Sequence, residues 1–142
     1  MAIRRFVAVL SLFGVLGSLV SCSSSSTPAS GVSSAALEGK TFVSTSVTGH
    51  NLVPGTTITL KFEGPTLAAS AGCNIMSGAY ALDNSTLRWT GLPLSTMMGC
   101  EPALAAQDQW LTNFLHTGAA ASLTGNQLTL TSTSITMKLQ AT

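Results

Sequence analysis

Apolar and polar residues alternate along much of this chain at the spacing of short β-strands. In residues 57–63, Ile58, Leu60 and Phe62 alternate with polar residues, which places the three on one face of a strand. The same alternation recurs, in places more loosely, at Phe42, at Tyr80 with Leu82, at Leu87 with Trp89, and over residues 128–130 and 135–139. The pattern predicts seven or eight half-buried strands, which form either a sandwich or a barrel.

Tight-turn residues separate these strands at short intervals. The turn signals are Pro54-Gly55, Gly64-Pro65, Asp83-Asn84 and Gly125-Asn126. The last pair is a signal for a two-residue hairpin loop, so we expect the strands on either side of it to pair with each other.

One segment has the spacing of a helix instead. Pro102 suits the first position of a helix and Glu101 precedes it. Apolar residues then recur at helical spacing up to Gly118, namely Leu104, Leu111, Phe114 and Leu115. We expect one amphipathic helix, over about residues 101–117, that closes over the sheet. Trp110 lies on this helix, and packing explains a lone indole there better than a binding platform does.

The N-terminus has the organisation of a bacterial lipoprotein signal peptide. Arg4 and Arg5 precede residues 6–20, a run in which 11 of 15 residues are apolar, too few to span a bilayer comfortably. Residues 19–22, Leu-Val-Ser-Cys, match the lipobox, in which diacylglycerol alkylates the Cys thiol and cleavage occurs just before it. The alternative is a plain secretory peptide in which Cys22 is incidental. The lipobox predicts a mature protein that begins at Cys22 and is anchored on the extracytoplasmic side of a membrane.

A Ser-rich stretch follows the lipobox and contains nothing large to bury. We interpret residues 22–36 as the lipidated Cys with a flexible tether, and residues 37–142 as one folded domain. Only 8% of the residues are charged, against about 25% in an average soluble domain, and the net charge is +1. This balance argues against a nucleic-acid partner recognised through a basic patch.

The odd number of cysteines is explained if one of them carries lipid. Cys73 and Cys100 then remain, and an exported compartment permits them to form a disulfide. The alternative is two reduced, buried thiols. A metal site is not expected, because no third or fourth ligand lies at a metal-site spacing in the sequence, and no cofactor is expected either.

Two separated motifs resemble those of the META domain (HslJ-like) family. Residues 71–80 contain Gly-Cys-Asn followed by Gly-x-Tyr, and residues 96–100 read Thr-Met-Met-Gly-Cys, which is similar to the family pattern Thr-x-Met-x-Cys before a helix. In this chain the motif residues are Gly72, Asn74, Gly78, Tyr80, Thr96 and Met98, together with the two cysteines.

The resemblance covers about residues 37–140 and implies a small, mainly antiparallel, β-barrel-like domain with a single helix. It also implies an envelope protein, commonly anchored to a membrane and without an established enzymatic activity. Many members have a Glu near the middle of the helix, where this chain has Gln107-Asp108-Gln109. A charge-dependent role at that position is therefore in doubt here.

Most motif residues also have a structural interpretation. Gly72 and Gly78 suit a positive φ or a close approach, and the Asn74 side chain suits a turn. Four larger apolar residues are available to line an adaptable apolar pocket, although filling the core is the commoner use of such side chains: Met97, Met98, Trp110 and Phe114.

Nothing in the sequence recommends a catalytic site. It contains no nucleophile motif, phosphate loop or metalloprotease motif, and neither His50 nor His116 has a motif around it. The leading hypothesis is a non-catalytic envelope lipoprotein that acts in envelope maintenance or stress response through protein contacts. The alternatives are a barrel that binds a small apolar or lipid ligand, and an inhibitor of an exogenous hydrolase. The volume and lining of any interior cavity distinguish surface contacts from an enclosed ligand.

Overall fold

The computed structural model describes residues 31–142, which form nine strands and two helices. The helices are α1 (Ser34–Leu37) and α2 (Pro102–Thr117). The strands are β1 (Thr41–Thr48), β2 (Thr59–Glu63), β3 (Thr66–Ser70), β4 (Ile75–Asp83), β5 (Thr86–Trp89), β6 (Leu94–Ser95), β7 (Ala119–Thr124), β8 (Gln127–Thr131) and β9 (Thr136–Ala141).

Eight of these strands close into an antiparallel barrel. They are hydrogen-bonded in the order β3-β2-β1-β9-β8-β7-β5-β4, and β3 also pairs with β4, which closes the ring. The two-residue strand β6 pairs with the beginning of β4, at Met76 and Ser77, and lies outside this ring. The expected small antiparallel barrel with one main helix is confirmed, whereas the sandwich that the alternation also allowed is not formed.

Period-two alternation decides which side chains fill the barrel. In β2 the buried residues are Leu60 and Phe62, and in β8 they are Leu128 and Leu130, while their neighbours are more exposed. Because successive side chains of a strand point to opposite faces, each alternating strand contributes one row to the interior. The largest fully buried side chains are Trp89, Phe42, Phe62, Leu37, Ile58, Leu60, Leu67, Leu87, Leu111, Leu115, Leu128 and Leu130.

The hairpins follow the predicted turns with one small shift. Gly125-Asn126 connects β7 to β8, with Thr124 opposite Gln127 and Gly125 at φ 59°. Between β4 and β5 the loop residues are Asn84 and Ser85, both at positive φ, whereas Asp83 is already paired with Thr86. The predicted turn at Asp83-Asn84 therefore lies one residue further along the chain.

Helix α2 begins at Pro102 and packs against β5. Glu101 precedes it without forming a side-chain cap, and Gly118 at φ 93° ends it. Leu104 is only half-buried. The buried face consists of Gln107, Asp108, Leu111, Phe114 and Leu115, so two polar residues share this face with the apolar ones.

The folded part of the chain starts before the predicted boundary at residue 37. Val32 is buried in the core, and the Ser33 side chain accepts a hydrogen bond from the Ala36 backbone N–H at the start of α1. The tether prediction is thus wrong for residues 32–36. The predicted signal peptide, the predicted lipobox with Cys22 and the rest of the predicted tether lie outside the described residues. Within residues 31–142, no helix is long and apolar enough to cross a bilayer.

Candidate functional site

Asn74 is the centre of a hydrogen-bond network that joins three parts of the chain. Its Nδ2 donates to Cys100 Sγ at 3.3 Å and to Asp108 Oδ2 at 3.0 Å. Its Oδ1 accepts from Thr96 Oγ1 at 3.0 Å and from the Met98 backbone N–H at 2.9 Å. These five residues, which we call the Asn74 network, connect the turn before β4, the segment after β6 and helix α2.

The turn between β3 and β4 places Asn74 in this network. Gly72 lies at φ 113°, and a Cβ at this position would lie 2.8 Å from Thr56 Cγ2, so only glycine fits without a shift. Directly after this turn, the Asn74 backbone N–H donates to Asp108 Oδ2 at 2.8 Å, and the Ile75 N–H donates to Thr96 Oγ1 at 3.0 Å. The Gly-Cys-Asn motif therefore forms a turn from which the side-chain amide of Asn74 makes hydrogen bonds with helix α2 and with the segment after β6.

Cys73 and Cys100 form a disulfide beside this network. Their Cα atoms are 6.1 Å apart, within the usual range for a disulfide, and both residues are half-buried. The predicted pairing is confirmed, and the alternative of two reduced thiols does not describe this structure. The bridge fixes the end of the segment after β6 at the point where helix α2 begins.

Gln107 extends the polar contacts of helix α2 to a second loop. Its Oε1 accepts from the Val53 backbone N–H at 2.6 Å, and its Nε2 donates to Thr56 Oγ1 at 2.9 Å and to the Ala71 carbonyl oxygen. Gln107 is only 3% exposed, yet every polar atom of its amide has a partner. The side chain thus ties the loop before β2 and the end of β3 to the helix.

Sequence reasoning did not assign Gln107 and Asp108 to the core, although a signal was available. Gln107 precedes Leu111 by four residues and Leu111 precedes Leu115 by four, so all three lie on one helix face. Asp108 lies three residues before Leu111 and belongs to the same face. The Gln-Asp pair that differs from the family pattern is therefore buried, and its side chains form hydrogen bonds with loops of the barrel.

The remaining motif residues have packing roles. Gly78 lies against Pro93, and a Cβ on it would be 3.1 Å from Pro93 Cα. Tyr80 packs edge-on against Phe62 with ring centroids 5.3 Å apart. Of the predicted motif positions, Gly72, Asn74, Thr96 and Met98 come together with the cysteines, whereas Gly78 and Tyr80 lie further along β4.

The structure does not bring together the four residues predicted to line an apolar pocket. Trp110 and Phe114 stack at 6.0 Å between ring centroids and line a cleft of about 200 Å³ with Ile135 and neighbouring residues. Met97 and Met98 are instead 95% and 64% exposed on the segment between β6 and α2. Neither methionine lines that cleft.

Trp110 also stacks on His50, in the loop between β1 and β2. The two rings are nearly parallel, 5° apart, with centroids separated by 3.7 Å. His50 lines a second cleft of about 360 Å³ together with Ser and Thr side chains of β1 and of the loop. Partial burial of the imidazole disfavours its charged form and lowers the pKa of His50 below the ordinary value of 6.5.

Trp110→Ala is expected to raise the pKa of His50 toward 6.5, because the variant exposes the imidazole to water. A lowered folded-state pKa means that the unfolded chain binds the proton more readily. The stability linked to His50 is therefore complete above pH 6.5 and is lost as the pH falls through the folded-state pKa. An NMR titration of the His50 ring protons measures the change, with Gln109→Ala, an exposed position on the same helix, as control. An equal pKa in wild type and Trp110→Ala would show that the stack does not desolvate His50.

Comparisons with known proteins agree on one family and one fold. A model of the META domain matches residues 35–141. Heat shock protein HslJ of Escherichia coli (strain K12) is 35% identical over 71 residues, which cover 50% of this chain and 51% of HslJ. The chain therefore aligns with about half the length of this curated relative.

Two solved NMR structures are similar to this one. The first has a TM-score of 0.62 at 31% identity and covers 77% of this chain and 94% of its own. The second, from Burkholderia xenovorans, has a TM-score of 0.61 at 17% identity and covers 99% of both chains. At that identity the second similarity concerns the fold alone.

Proposed function

The chain belongs to the META domain family, and from this we propose that it is a non-catalytic envelope lipoprotein that acts by contacting another protein. In this proposal a diacylglycerol on Cys22 holds the domain at the extracytoplasmic face of a bacterial membrane. The partner is an envelope protein with an apolar surface. The name of the relative HslJ, a heat shock protein, supports a role under stress, which we propose is exercised in the cell envelope.

The observation that carries the proposal is a group of large apolar side chains that are exposed to solvent. We call it the apolar patch, and its residues, with their exposed fractions, are Ile75 (54%), Leu92 (89%), Leu94 (82%), Met97 (95%) and Met98 (64%). Four of the five belong to the segment around β6, and the Ile75 carbonyl accepts from the Thr96 N–H beside them. Exposed apolar side chains that are grouped in this way are typical of protein interaction sites.

The apolar patch is held in a defined conformation. The Met98 N–H donates to Asn74 Oδ1, Leu94 pairs with Ser77, and the disulfide fixes Cys100. A segment that is ordered before binding loses less conformational entropy on association, which favours affinity. The motif residues thus support the proposal by holding the patch in place, and no reactive group is needed for this role.

The interior of the barrel favours surface contacts over an enclosed apolar ligand. Trp89, Phe42 and Phe62 are buried within it and are packed with the leucines of the core. Small barrels have room for either side chains or a ligand, and here side chains occupy the described interior.

A photo-crosslinking amino acid at Met97 in intact cells is expected to capture a distinct protein partner. The same probe at Gln127, exposed at the start of β8 directly after the hairpin turn, is the matched control and should capture little. Leu94→Glu should reduce the Met97 crosslink several-fold while leaving the melting temperature nearly unchanged, because the side chain is exposed. Equal capture at Met97 and Gln127, or none at Met97, would count against the proposed contact surface.

A further inference from the structure

One oxygen of the buried Asp108 carboxylate has no partner among the described residues. Asp108 is 6% exposed, and its Oδ2 accepts both hydrogen bonds from Asn74, one from the backbone N–H and one from Nδ2. Its Oδ1 is buried and accepts none within residues 31–142. An unpaired buried carboxylate oxygen is costly, so Oδ1 is available to accept a cation or another donor that comes within reach.

The groups nearest to this carboxylate include the two sulfur atoms of the disulfide. One ligand atom from each of Cys73, Cys100 and Asp108 lies within 4.8 Å of the other two. Zinc is bound by thiolates at about 2.3 Å and by carboxylate oxygens at about 2.1 Å. A tetrahedral site therefore needs ligand atoms roughly 3.6–3.8 Å apart. The Cα atoms of the two cysteines are 6.1 Å apart, so rotation of the reduced side chains can bring their sulfur atoms to that spacing.

We propose that the domain binds one zinc ion through Cys73, Cys100 and Asp108 once its disulfide is reduced. A dithiol reductant supplies two electrons and two protons to the S–S bond, giving two thiols while the reductant becomes a disulfide. Zinc then displaces the two thiol protons into solvent and binds both thiolates and Asp108. Water takes the fourth position from the side where the cysteines are half-exposed.

Asn74 orients two of the three ligands in advance. Its Nδ2 donates both to Cys100 Sγ and to Asp108 Oδ2, so a single amide holds a sulfur and a carboxylate in one geometry. Because both Asn74 donors use Oδ2, Oδ1 stays available as the ligand. Hydrogen bonds of this kind to metal ligands position them and raise affinity. Zinc would then close the loop from Cys73 to Cys100 that the disulfide closes in the oxidised protein.

The test uses the full chain with Cys22→Ala, so that Cys73 and Cys100 are the only thiols. The protein is reduced with a phosphine, and the phosphine is removed under anaerobic conditions. The reduced protein is then titrated with zinc in competition with a chromophoric chelator. One equivalent should bind to the reduced form and none to the oxidised form. Asp108→Asn should weaken binding at least tenfold, whereas Asp83→Asn, an exposed carboxylate paired with Arg88, should leave it unchanged. Cobalt(II) in place of zinc should give a sulfur-to-metal charge-transfer band and a tetrahedral visible spectrum.

Several results would overturn the inference. These are a reduced chain that binds no stoichiometric zinc, equal affinity in wild type and Asp108→Asn, and a cobalt spectrum without a sulfur band. Circular dichroism follows the fold in each state, and a reduced chain that stays unfolded in the presence of zinc also contradicts the proposal. Cys73→Ser with Cys100→Ser keeps Asp108 but removes both thiolates, so zinc binding by this variant would likewise exclude the site.

Discussion

Removing the Cys73–Cys100 disulfide is expected to lower the free energy of unfolding by about 3.5 kcal/mol. The bridge joins residues 27 positions apart, and in the chain-entropy description a closed loop of this length strongly restricts the unfolded chain. This loss is a large part of the total free energy of unfolding, which is about 5–15 kcal/mol for a typical domain. It should lower the melting temperature by about 15 °C or more. Thermal unfolding of wild type and of Cys73→Ala with Cys100→Ala, followed by circular dichroism in the presence of a chelator, measures it.

Two controls separate loop closure from local packing. Reduced wild type and the double variant should unfold at similar temperatures, since both lack the covalent loop. The single variant Cys73→Ala should resemble the double variant for the same reason. An unchanged melting temperature in the double variant would show that the remaining hydrogen bonds of Asn74, to Thr96, Met98 and Asp108, hold the segment after β6 without the disulfide.

Cys22→Ala is expected to abolish lipidation completely. An alanine has no thiol for diacylglycerol transfer, so the variant should accumulate as an unlipidated precursor or soluble form. In wild type, two or three acyl chains would anchor the protein stably, because each buried CH₂ contributes about 0.8 kcal/mol and one chain alone binds only marginally. Mass spectrometry of the purified protein, together with detergent phase partitioning, measures both effects.

The other two cysteines provide the matched control for this experiment. Cys73→Ala with Cys100→Ala should retain the full acyl mass, because both positions lie within the folded domain. Acyl mass on Cys22→Ala, with partitioning into detergent, would refute the lipobox interpretation.

Local patterns predicted those parts of the fold that depend on local interactions. The alternation around Leu60 identified β2 and its buried face, because a half-buried strand requires period two. Gly125-Asn126 identified a hairpin, since few other pairs adopt its backbone angles easily. Pro102 identified the start of α2, where a missing N–H costs nothing.

The parts that sequence reasoning missed depend on partners distant along the chain. Pairing of β3 with β4 closes the barrel, and β6 exists only because β4 offers it an edge. The burial of Asp108 is compensated in part by Asn74, 34 positions earlier, so the helix sequence alone does not reveal it. The small residues around Val32 predict a tether, yet Val32 packs in the core.

Closure of the barrel has a consequence for a domain at high local density, which is the situation that the proposed lipid anchor would create. A flat sheet ends in two strands with unpaired backbone groups, and neighbouring copies can join such edges into fibrils. Here the backbone groups of β3 and β4 are hydrogen-bonded to each other, and the added strand β6 is only two residues long. The domain can therefore be crowded in two dimensions while offering its neighbours little template for polymerisation.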